Sequence, residues 1–279
     1  MPSVKSGCPT WRLINTGLLS GAENMAIDEA LLHSFDPLSS QPILRLYGWS
    51  PPALSLGRFQ KAGEVLDLDR CLSSGIPVVR RITGGGVIYH ADELTYSIIC
   101  TPAQIPPTSS VKDSFRVLTA FLKTFYRQLG LASRYAVDEM PLQQRLGERT
   151  AFCFAGRESF DLLVNGKKIG GNAQRRLKHS IFQHGSIPLF NQVHIGLSYL
   201  RERSLELTCG AGCLAEFGIL EDVDHLQREL AASFEASFEV VLNPDQLSVQ
   251  ERHTTERLHS MKYTQDRWNL EGIEDENSA

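Results

Sequence analysis

Behind Ser20, the stretch Ser20 to Ser34 sets Met25, Ala26, Leu31 and Leu32 near helical spacing, which predicts a serine-capped amphipathic helix. Short runs rich in β-favouring side chains follow at Ile43 to Trp49, Ala53 to Arg58, Pro77 to Ile82 and Glu93 to Cys100. Pro51-Pro52, Gly57, Gly75 and Gly84 to Gly86 punctuate them, so each reads as a strand. Ser110-Val-Lys-Asp113 resembles a capping box, after which Val111, Phe115, Leu118, Phe121, Leu122, Phe125 and Leu129 share one helical face until Gly130 ends it. Phe160 to Val164 and Lys167 to Gly170 flank Asn165-Gly166, the dipeptide that best tolerates the positive φ angles of a type I′ turn, and predict a hairpin. A further extended stretch spans Ser180 to Ile187. Helical spacing returns beyond Pro188, at Asp222 to Phe234 and Asp245 to Met261, with Pro244 marking the start of the second and a polar tail from Glu271 expected to fray. Strands early and helices late predict an α+β fold with a mixed or antiparallel sheet packed against helices.

The chain has 279 residues, 42% hydrophobic and 22% charged, enough to bury a substantial core. A catalytic domain is expected over 1–215, its core about 40–215, with 216–279 a C-terminal helical extension packed on the same domain. The formal net charge of −4 gives no global positive field, which argues against nucleic acid as a partner. No apolar run approaches the ~20 residues of a membrane span, and the N-terminus lacks the apolar core of a signal peptide. A cytoplasmic protein with reduced thiols is therefore expected. Cys8, Cys71, Cys100, Cys153, Cys209 and Cys213 are scattered through the sequence. Cys209 and Cys213 lie four apart without a second close ligand pair at zinc-finger spacing, so no metal site is expected.

Several segments carry candidate chemistry. Thr83-Gly84-Gly85-Gly86 joins two extended runs, and such glycines sit where backbone turns sharply or meets a ligand, as in an oxyanion hole; the alternative is a plain connecting turn. Arg80 and Arg81 could fork a carboxylate or phosphate, but strand alternation sends them to opposite faces, so one of the two faces the site and the other is solvated. His90, across the turn, could offer a donor or proton carrier to the same cleft. Cys153 would ordinarily read as a small buried residue, but Lys168, on the return strand of the hairpin, could stabilise its thiolate or shuttle a proton. Gly171, Asn172, Ala173 and Gln174 continue that strand as a plausible cleft wall, and His184-Gly185 either lines the same pocket or pairs within the sheet. Arg175, Arg176 and Lys178 form a basic cluster able to dock an acidic partner.

Arg80 to Ile98 (RRITGGGVIYHADELTYSI), Phe152 to Arg176 (FCFAGRESFDLLVNGKKIGGNAQRR) and Gln183 to Ile187 (QHGSI) together resemble the biotin/lipoate protein ligase superfamily. Asn24 to Leu32 (NMAIDEALL) and Lys262 to Asn269 (KYTQDRWN) agree with it. The resemblance implies that superfamily's catalytic-domain fold. Cys153 and Lys168 match the nucleophile and lysine of its octanoyltransferases, which move an octanoyl group from acyl carrier protein, through an acyl-cysteine, to a lysine of a lipoyl domain such as the glycine-cleavage H protein. Substrate contacts are then expected from Arg81, Thr83, Gly84, Gly85, Gly86, His90, Gly171, Asn172, Ala173, Gln174, His184 and Gly185, with no cofactor. The alternatives are an ATP-dependent lipoate ligase, a relay of octanoyl between lipoyl domains, and a non-catalytic binding protein.

Overall fold

The computed structural model describes residues 8–139, 158–202 and 210–274. The chain runs through β1 (Thr10–Leu19), α1 (Gly21–Ser34), β2 (Ile43–Trp49), β3 (Ala53–Leu56), the short helices α2 (Ala62–Val65) and α3 (Leu68–Ser73), β4 (Val78–Arg80), β5 (Ile88–His90) and β6 (Glu93–Cys100). Next come α4 (Val111–Gln128), β7 (Ser133–Tyr135), α5 (Ala136–Glu139), β8 (Leu162–Val164), β9 (Lys167–Lys168), β10 (Gly171–Arg176), β11 (Ile181–Pro188) and α6 (Val193–Ser198). The last elements are α7 (Val223–Phe238), β12 (Val241–Asp245), α8 (Val249–Leu258), a π-helical turn (His259–Tyr263) and α9 (Asp266–Asn269).

The main sheet has the order β10-β11-β6-β2-β1-β12, parallel at β1–β2 and β1–β12 and antiparallel elsewhere. Helices α4 and α7 cover one face through Phe121, Phe125 and Phe234, while α1 and α8 cover the other through Met25, Leu31 and Leu258. The α+β class with a mixed sheet is as expected. Two small sheets, β4-β3-β5 and β7-β8-β9, complete the fold. Among the described residues no helix is long and apolar enough to cross a membrane.

Four expectations need correction. Helix α1 begins on the expected cap, with Ser20 and Glu23 forming a reciprocal capping box, but it is buried nearly all round rather than amphipathic. Its polar residues are instead satisfied internally: Asn24 and Asp28 meet Arg45, and Glu29 meets Lys262 and Tyr263. Pro244 does not start a helix. It lies in β12, which pairs with β1 at the sheet edge, where a missing N–H is tolerated, and Ser248 caps α8 instead. Arg80 is not in solvent but buried, donating to the carbonyls of Gly57, Arg58, Gln60, Trp268 and Leu270. It ties the C-terminal segment to the strand that leads into the glycine loop. The tail is also held as far as Glu274, whose carboxylate pairs with Lys262 and Arg58.

Candidate active site

Strand register builds the site. One cross-strand row aligns Ala173, His184, Ser97 and Arg45 on the face beneath α1. Two residues along, on the same face, the next row aligns Gly171, Ser186, Thr95 and Tyr47. This second row floors a slot whose walls come from Trp49, Ile88, His90, Arg81 and Gly85. The small sheet carrying Arg81 and His90 folds over the slot because Gly57 and Gly85 bring their backbones together; a Cβ on Gly57 would lie 2.0 Å from the Gly85 carbonyl oxygen. Gly85 itself sits at φ +102°, a conformation that favours glycine.

A polar network backs each wall. On one side Asp28 accepts from Arg45 at 2.7 Å, Tyr47 at 2.9 Å and Ser97 at 2.8 Å, and lies 3.7 Å from His184. His184 in turn bonds the Thr83 hydroxyl at 2.7 Å, immediately before the glycine loop. On the other side Glu93 accepts from Thr95 at 2.6 Å and Ser186 at 2.6 Å and contacts His90 Nδ1 at 2.7 Å, while His90 Nε2 meets the Ser55 hydroxyl at 2.6 Å. Arg81 closes this second chain by donating to the Ser55 hydroxyl and to the carbonyls of Ser55, Gly84 and Gly86. Because a guanidinium only donates and an ionised Glu93 only accepts, a neutral His90 carries its proton on Nδ1 and accepts from Ser55. The guanidinium of Arg81 thus shapes the loop as well as lining the slot.

Burial opposes ionisation of Asp28, but Arg45, His184 and Ser97 outweigh it and hold the carboxyl below its usual range. Glu93 is likewise lowered: burial opposes, while His90, Ser186 and Thr95 prevail. Burial pushes His184 down, against the pull of Asp28. These shifts share a sign. The unfolded chain binds each proton at higher pH than the folded chain does, so folded stability declines as pH is lowered. The thermal midpoint is expected to begin dropping below about pH 6.5, through His184, and to drop further below about pH 4, through Asp28 and Glu93. A His184→Asn variant should flatten the upper leg of that profile; a midpoint that rises on acidification would contradict these assignments.

A second, wider opening shares Gly85, Asn172 and Ala173 with the slot and adds Gly84, Gln174, Lys112, Glu158 and Asp161. Next to it stands the Lys168–Asp161 ion pair, 2.7 Å long, with the lysine side chain only 2% exposed. The hairpin is the expected one, with Asn165 at φ +50° and Gly166 at φ +74°. Its register pairs Lys168 with Leu163, which leaves Asp161 the diagonal neighbour two residues along. Above Asp161, Glu158 has its carboxyl raised, by burial first and then by Asp161, with Lys168 and Lys112 opposing.

Of the residues singled out, Arg81, Gly85, His90, Gly171, Asn172, Ala173, His184 and Gly185 line the slot, and Gly84 and Gln174 line the opening. Thr83 and Gly86 stand behind these walls, bonded to His184 and Arg81. Cys153 lies outside the described residues. Burial raises the thiols of Cys71, to about 11, and Cys100, to about 12, which disfavours either as a nucleophile. Asp28, Glu93, Trp49 and Asp161 were not foreseen as site residues.

A model of the lipoyl protein ligase A/B catalytic domain matches residues 20–208. The chain belongs to this family. It is 36% identical over 278 residues to the octanoyltransferase LipM of Kyrpidia tusciae, covering 93% of this chain and 98% of that one. Its identity to the octanoyltransferase LipM of Bacillus subtilis is 32% over 272 residues, again covering 93% and 98%. Among solved structures, a lipoate-protein ligase A bound with ATP superposes with a TM-score of 0.80 at 23% identity, covering 95% of this chain and 100% of that chain. The bipartite lipoate protein ligase of Thermoplasma acidophilum, studied with its E2 lipoyl domain, superposes with a TM-score of 0.78 at 23% identity, covering 96% and 99%. These two likenesses establish the shared catalytic-domain fold. The resemblance read from the sequence is borne out, and with it membership of the family's acyltransferase branch.

Proposed function

We propose that the protein transfers an octanoyl group from an acyl carrier protein thioester, through an acyl-cysteine at Cys153, to a lysine of a lipoyl domain. The observation that carries the reading is the buried Lys168–Asp161 pair beside an opening continuous with an apolar slot. The slot takes the alkyl tail at about 0.8 kcal/mol per buried methylene. Relatives named octanoyltransferases support the acyl group, and the Thermoplasma ligase studied with a lipoyl domain supports the acceptor class.

In the first half, the Cys153 thiolate attacks the thioester carbonyl and the carrier sulfur leaves, taking a proton from the Lys168 ammonium. Backbone N–H groups of Gly84 to Gly86, in the loop that Arg81 and His184 hold from behind, serve the tetrahedral oxyanion. Lys168 is now a neutral amine. In the second half, the acceptor lysine attacks the acyl-cysteine as a free amine, Lys168 takes up its proton, and Cys153 departs as thiolate. Both groups return to their starting forms. Asp161 keeps the Lys168 nitrogen in place throughout and compensates its charge. The thioester already carries the activation that a ligase draws from ATP, so neither half calls for a nucleotide or metal. The reaction takes place in the cytoplasm.

Purified protein, octanoyl carrier protein and unmodified lipoyl domain are expected to yield octanoylated domain without ATP. Modification that occurs only with free octanoate and ATP would overturn the proposal in favour of a ligase.

A further inference from the structure

We infer that Trp49 is the ruler that sets acyl chain length in this site. The inference rests on the slot holding the acyl tail, as proposed above. The slot meets the wider opening at Gly85, Asn172 and Ala173, so the reacting end of a bound chain lies there. Asn172 and Ala173 stand on β10, whereas Tyr47 and Trp49 stand on β2, three strands away in the sheet, and line the remote end of the slot.

The Trp49 indole is fixed there by three independent contacts. Its Nε1 donates to the Thr95 hydroxyl at 2.9 Å, and that hydroxyl donates to Glu93 at 2.6 Å. One face stacks on the His90 ring, with centroids 3.7 Å apart and planes 8° from parallel, and His90 is itself held by Glu93. The far edge abuts the start of α1: a Cβ on Gly21 would lie 3.1 Å from Trp49 Cζ3 and 3.2 Å from Val79. The indole therefore stands between the acyl slot and the packed contact of Gly21 with Val79, and closes the slot on that side. Hydrogen bond and stack together oppose a swing of the ring to admit a longer chain. Truncating it opens the slot along its own axis.

The test compares wild type, Trp49→Leu and Trp49→Phe, each confirmed folded by circular dichroism. Two readouts are taken over unbranched chains of six to fourteen carbons: affinity for the free fatty acid, and transfer from the matching acyl carrier thioester. Trp49→Leu is expected to move the optimum in both readouts to longer chains, raising the preference for dodecanoyl over octanoyl by about fourfold per newly accommodated methylene. Trp49→Phe, which keeps a ring against His90, shifts the optimum in the same direction by less. If Trp49→Leu does not fold, the direction of the Trp49→Phe shift decides the matter. An unchanged length optimum in a folded variant overturns the ruler, as does a wild type that binds no fatty acid of any length. A shifted binding optimum without any transfer supports the ruler and counts instead against the reaction assigned to the site.

Discussion

Replacing Lys168 by alanine is expected to lower octanoyl transfer by about 10²- to 10⁴-fold, the range that a positioned proton donor and acceptor contributes. The same change leaves Asp161 buried without its cation, which costs about 3–5 kcal/mol of folding stability. Activity alone would confuse the two effects, and further variants separate them. Lys168→Arg retains an ion-pair partner for Asp161 but cannot give up a proton near neutral pH, so it should stay folded and remain almost inactive. Lys168→Ala combined with Asp161→Asn should regain much of the lost thermal stability and none of the turnover. A Lys168→Arg enzyme transferring at more than about a third of the wild-type rate would show that the lysine acts through packing or charge alone.

A stability effect of the same size is expected at Asp28. Its carboxylate neutralises Arg45, a fully buried guanidinium that it contacts at 2.7 Å, and it gathers Tyr47 and Ser97 from neighbouring strands. Asp28→Ala leaves the guanidinium with only neutral acceptors, Asn24 and Thr16, at a cost of about 3–5 kcal/mol. For a chain of this size that corresponds to a fall in thermal midpoint of roughly 10 °C. Asp28→Asn, which keeps the shape and part of the hydrogen bonding, should fall less. Because the Asp28 cluster also carries His184 and, through it, Thr83, the alanine variant should lose transfer activity even well below its midpoint. A midpoint within about 2 °C of wild type would contradict the role of this ion pair.

Local signals were well read from the sequence. The Ser20 cap, the strands Ile43–Trp49 and Glu93–Cys100, the Val111–Gln128 helix and the Asn165-Gly166 hairpin all depend on side chains close in sequence, and the structure has each of them. Elements decided by distant partners were missed or misread. Strand β1 escaped notice because its register shifts between Asn15 and Leu18, which breaks the alternation that marks a strand. Helix α1 looked one-sided because the partners of Asp28 and Glu29, namely Arg45 and Lys262, lie up to 233 residues away. Asn24 and Asp28, one turn apart in a helix otherwise rich in apolar residues, were the available hint of an inward polar stripe. Asp161 could have been found: once the two-residue turn pairs Lys168 with Leu163, alternation places Asp161 on the lysine's face. Trp49 offered no such route, since only the assembled small sheet brings His90 against it.

The central claim is that an acyl group passes through one sulfur atom. It is tested most directly by mixing the protein with octanoyl carrier protein, without acceptor, and measuring the intact mass of wild type and Cys153→Ser before and after treatment with neutral hydroxylamine, which cleaves thioesters and spares ordinary esters. The account predicts one hydroxylamine-labile octanoyl group on the wild type, located on the peptide containing Cys153, no thioester adduct on the variant, and disappearance of the adduct when lipoyl domain is added. Undiminished transfer to the lipoyl domain by Cys153→Ser, or an adduct located on another residue, would contradict it.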